Sequence, residues 1–60
     1  MGIKMKIEFT GTLQEFTDAL DKEYSGFSLE KDGTNTFATL NGIDIGRWSA
    51  VLGGGWIEQL

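Results

Sequence analysis

Sixty residues carry nine acidic and five basic side chains, a net charge of −4, 40% hydrophobic residues, and neither cysteine nor histidine. That composition removes disulfides, thiolate or imidazole metal sites and the Ser-His-Asp and Cys-His nucleophile systems, and it opposes long-range attraction to nucleic-acid phosphate or an anionic membrane. A chain this short makes one domain, residues 1–60, and buries only about 60% of the surface its unfolded form exposes, so either its core is efficient or the protein oligomerises.

From Ile3 to Phe9 apolar and polar residues alternate, with Ile3, Met5, Ile7 and Phe9 on one side and Lys4, Lys6 and Glu8 on the other, the pattern of a half-buried strand. No stretch reaches the roughly 18 apolar residues of a membrane span, and the N-terminus lacks a signal-peptide core. The expected address is the cytoplasm. Met1-Gly2 is not a myristoylation start, because Lys6 stands where that signal needs Ser or Thr. Met1 to Lys4 reads equally as a cloning remnant before a start at Met5.

Gly11 ends the strand, and Thr12 with Glu15 three residues on forms a capping box, so a helix is expected from Leu13. Leu13, Phe16, Leu20 and Tyr24 recur every three or four residues as one apolar stripe, with Gln14, Glu15, Asp18, Asp21 and Lys22 facing out. Gly26 is a natural stop.

Phe27 to Trp48 alternates around two turn dipeptides, Asp32-Gly33 and Asn41-Gly42, each a preferred pair for a two-residue hairpin turn. With those residues as the turns, Lys31 pairs with Thr34, Leu29 with Thr36 and Phe27 with Ala38. In the second hairpin Leu40 pairs with Ile43, Ala38 with Ile45 and Phe37 with Gly46. Both hairpins then place Phe27, Leu29, Ala38, Leu40, Ile43 and Ile45 on one face, ready for the helix. Ser28, Glu30, Phe37, Thr39, Asp44 and Trp48 fall on the other.

Ser49 to Leu60 carries no clear pattern. Gly53-Gly54-Gly55 suggests a hinge or a tight backbone crossing, and it lacks both the Lys-Ser/Thr ending and the following helix of a phosphate loop. Trp56 to Leu60 is apolar but too short for a stable isolated helix. Residues 49–60 are expected as a C-terminal tail packed on the domain or on a partner subunit. The predicted fold class is α+β, in the order β-α-β-β-β, with one helix on one face of a mainly antiparallel four-stranded sheet. The first strand fits at either edge of the three-stranded meander.

No catalytic, cofactor or metal motif emerges, and the chain is expected not to be an enzyme. Asp18 and Asp21 lie one turn apart, but on the solvent side of an amphipathic helix. The functional expectation is a protein-binding module, with Phe37 and Trp48 as an outward aromatic patch and Trp56 and Ile57 in the tail as further anchors. Three occupants of the patch are weighed: the tail folding back through Val51, Trp56 or Leu60, a second copy in a homo-oligomer, most simply a dimer, or a foreign protein. In type, as a small acidic cysteine-free α+β chain, it resembles the compact inhibitors that viruses encode against host enzymes and defence systems, which implies a host-protein partner in the host cytoplasm. The alternative is a nucleic-acid mimic whose phosphate-like carboxylates are Glu15, Asp18, Asp21 and Glu23, or a self-associating accessory protein. Direct single-strand binding by stacking on Phe37 and Trp48 is opposed by Glu30 and Asp44 on the same face.

Overall fold

A computed structural model of the chain describes residues 5–59. The predicted positions of Ile3, Lys4 and Leu60, and the reading of Met1 to Lys4 as a remnant, lie outside the described residues. The elements run β1 (Met5–Thr10), α1 (Leu13–Glu23), β2 (Ser28–Asp32), β3 (Asn35–Leu40), β4 (Ile43–Ser49) and β5 (Gly54–Gln59). The fold is a small α+β domain with one helix and one antiparallel sheet, but the sheet has five strands rather than four, in the order β1-β5-β4-β3-β2.

The helix starts where its cap dictates. Thr12 N–H donates to Glu15 Oε1 at 2.9 Å, and Glu15 N–H donates to Thr12 Oγ1 at 3.1 Å, so two orphan amides of the first turn are satisfied reciprocally. Its stripe then meets the sheet. Phe16 and Leu20 are fully buried and join Ala38, Ile45 and Ile57 in the core, with Phe9, Ala19, Tyr24, Phe27, Leu40 and Trp48 packed around them. Phe9 and Phe16 meet edge to face, with centroids 5.7 Å apart.

The fifth strand is the main departure from expectation. Residues 54–59 insert between β1 and β4, pairing Ile57 with Ile7 on one side and with Gly46 on the other. β1 therefore sits at neither edge of the meander but beyond β5. A central strand beginning Gly-Gly is explained by proximity. A Cβ on Gly55 would overlap the Arg47 carbonyl, and one on Gly54 would overlap the Phe9 carbonyl, so only glycine lets the three backbones come together. The triple glycine is a tight crossing, not a hinge.

Two registers also differ. The first hairpin turns on Gly33-Thr34, because Asp32 pairs with Asn35, Lys31 with Thr36 and Leu29 with Ala38. Gly33 takes the positive φ of 63° that the first central position of a II′-type turn demands. The displacement is two residues, so every side chain keeps its expected face. The second hairpin does turn on Asn41-Gly42, both at positive φ, with Leu40 opposite Ile43. Beyond it the ladder slips: Thr39 pairs with Asp44 but Ala38 with Gly46, leaving Ile45 as the extra residue of a β-bulge. A slip of one reverses the faces of everything after it.

Candidate functional site

The bulge decides which side chains face away from the helix. After it, Trp48 moves to the helix side, packs against the core and donates its indole N–H to the Gly11 carbonyl at 2.8 Å. The expected pairing of Phe37 and Trp48 on the outer face is thereby corrected. Phe37 stays outside, and Arg47, opposite it in the ladder, takes the place expected for Gly46. Ile57 is likewise on the helix side and buried. Trp56, between Glu8 and Arg47 in the register, is outside.

The outer face consequently carries a continuous cross-strand row: Glu8 on β1, Trp56 on β5, Arg47 on β4, Phe37 on β3 and Glu30 on β2. Each neighbour is directly opposite the next, within the 4.5–5.5 Å or so between Cβ atoms at which cross-strand side chains interact. Arg47 is exposed, flanked by the half-buried rings of Trp56 and Phe37. Lys6 places its Nζ 4.4 Å from the centroid of the Trp56 ring, a cation-π contact. The helix packs on the opposite side of the sheet, through Phe16 and Leu20. In the turn between β4 and β5, Val51 and Leu52 stand 76% exposed, and the turn is held by Gly53 N–H to Ser49 O and by Ala50 N–H to Thr34 O.

The row can bind but offers little to a reaction. Its outer ends are carboxylates, its middle is one guanidinium between two rings, and no nucleophile stands beside a base in it. Among the described residues no group of three or more His, Cys, Asp or Glu is placed to hold a metal ion. A shallow open recess of about 250 Å³ adjoins the row, lined by Glu8, Phe9, Thr10, Leu52, Gly54 and Gly55. It contains a single titratable side chain, Glu8.

The acidic side of the helix is partly committed to local structure. Glu15 is engaged in the capping box, and Asp18 accepts from Gln14 Nε2 at 3.0 Å. Asp21 and Glu23 are exposed. Tyr24, at the helix end, donates its hydroxyl to the Glu58 carbonyl across the sheet. Its phenol is pushed above its ordinary value by partial burial and then by the negative charges of Glu58 and Glu23. Among the described residues no helix is long and apolar enough to cross a membrane.

Alternation alone places Lys6 outward on the first strand but puts Arg47 on the helix side, so Arg47 is the member of this candidate site that it passes over. The available signal was Gly46 inside a strand pattern, a frequent mark of a bulge, together with the parity change from Ile43 and Ile45 to Trp48. The chain matches no protein-family model, and no curated protein and no solved structure is significantly similar to it.

Proposed function

We propose that this chain is a non-enzymatic protein-binding module that engages its partner through the open sheet face, with Trp56, Arg47 and Phe37 as the anchors. The observation that carries the reading is their alignment in one cross-strand row with carboxylates only at its outer ends. Trp and Arg are enriched among residues that dominate interface energies, and large rings already ordered by a sheet lose little entropy on binding. The partner surface that fits is apolar, with a carboxylate to meet Arg47. Inhibition of a host protein by occupying its surface, as virus-encoded inhibitors of this size do, is the form of activity this module would take.

The acidic-mimic reading ranks second, because Glu15 and Asp18 are already engaged within the helix. The two readings separate in one capture experiment. Immobilised wild-type chain is exposed to lysate proteins beside Arg47→Glu and an Asp18→Asn, Asp21→Asn variant. The sheet-face reading predicts a retained protein that Arg47→Glu loses and the helix variant keeps. The reverse pattern would transfer the site to the helix.

A further inference from the structure

The free edge of β1 points to a second binding surface, and its sequence specifies the occupant. Gly11 N–H donates to Gly53 O one step beyond the Thr10–Gly54 pair. In an antiparallel ladder the hydrogen-bonded pairs alternate, so the odd-numbered residues of β1 spend their amide groups on β5. The N–H and C=O groups of Lys6, Glu8 and Thr10 therefore point out of the sheet, and among the described residues no strand pairs with them. Beside this edge Met5 and Ile7, on the helix side, are 57% and 39% exposed. An unpaired strand edge flanked by exposed apolar side chains is a template for another strand.

We infer that the occupant is a second copy of this chain, joined β1 to β1 about a two-fold axis through Ile7 to form one continuous sheet. Charge and register select this occupant. Antiparallel self-pairing keeps each side chain on its own face only when the axis passes through a residue. With Ile7 on the axis, each Lys6 lies opposite Glu8 of the other copy. Those are the residues with outward amide groups, so each such pair exchanges both main-chain bonds and opposes unlike charges. On the helix side Ile7 meets its own copy and Met5 meets Phe9, in the closer, non-hydrogen-bonded positions. Lys6 then lies between Glu58 of its own β5 and Glu8 of the other chain, while Glu8 gains a cation that its own neighbour, Trp56, does not supply.

No other register does this. An axis through Lys6 or Glu8 sets like charges face to face. At the opposite edge, Lys31 of β2 lies on one face and Glu30 and Asp32 on the other, so no axis through a β2 residue sets unlike charges opposite one another. Self-pairing thus closes at one interface and leaves β2 as a charged terminus, which gives a dimer rather than a fibre.

The test is sedimentation of the full chain and of Lys6→Glu and Glu8→Lys, separately and mixed, with circular dichroism on each. Wild type should be dimeric. Each single reversal, which sets like charges opposite at both symmetric positions, should weaken self-association by about tenfold or more. An equimolar mixture of the two folded variants should restore dimers, because every position 6 then faces an opposite charge at position 8. Because the chain has no cysteine, Ile7→Cys offers an independent readout: the axis brings the two thiols together, and air oxidation should give a covalent dimer faster than Leu52→Cys does. A monomeric wild type would overturn the inference. So would a dimer indifferent to both reversals, a mixture no more associated than its components, or Ile7→Cys crosslinking no faster than Leu52→Cys.

Discussion

Trp48 and Trp56, on adjacent antiparallel strands, occupy opposite faces of the same sheet: one indole is tied to the Gly11 carbonyl on the helix side, the other lies half-buried on the outer face under Lys6. The two rings should therefore respond differently to the same substitution. Trp48→Phe leaves a part-buried carbonyl unpaired and should lower unfolding free energy by about 1–2 kcal/mol in urea denaturation. Trp56→Phe should cost less than about 0.5 kcal/mol and remove most of the fluorescence that iodide or acrylamide can quench.

Gly46 is the hinge of that arrangement. A Cβ there would lie 3.0 Å from the Phe16 ring and 3.1 Å from the Trp56 carbonyl oxygen. Gly46→Ala should destabilise by about 1–3 kcal/mol through overpacking, and Phe16→Leu in the same chain should recover part of the loss. Additive losses in a double-mutant cycle would mean that the two sites are not in contact. Gly55→Ala meets the Arg47 backbone, which cannot yield as a side chain does, and should abolish the cooperative transition.

These glycines also explain which features were legible in the sequence. Thr12 with Glu15 and Asn41 with Gly42 are local devices: their geometry is complete within four residues, so helix start and second turn could be read directly. The first turn moved by one residue, from Asp32-Gly33 to Gly33-Thr34, because both pairs suit a two-residue loop, and the resulting two-residue shift of register leaves the faces unchanged. The bulge at Ile45 was different. It shows only as a glycine in a strand and a parity change, and it sent Trp48 inward and Arg47 outward. Strand β5 was illegible because Gly54 and Gly55 have low β-propensity. They are strand residues only because the backbones of β1 and β4 close in on both sides.

The capping box predicts a measurable local contribution. Thr12→Ala should cost about 1 kcal/mol in chemical denaturation, while Thr12→Ser, which retains the acceptor for Glu15 N–H, should cost less than half of that.

Tyr24 is the one tyrosine, so its titration can be followed by ultraviolet absorbance. Its folded phenol ionises above the ordinary value of about 10. Between the unfolded and folded values the native state holds the proton that the unfolded state has lost. The contribution is therefore fully present below about pH 10 and declines as pH rises through the folded value. Tyr24→Phe should abolish this alkaline loss of stability.

The central claim is that the Trp56–Arg47–Phe37 row is the contact surface, and photo-crosslinking tests it most directly. A photoreactive phenylalanine analogue is placed at exposed position 30, beside Phe37 at the end of the row, in one sample and at exposed position 21 on the helix in another, each with the captured partner. The account predicts an efficient crosslink from position 30, suppressed by excess unlabelled wild-type chain, and little or none from position 21. A crosslink confined to position 21 would contradict it and make the acidic helix the binding surface.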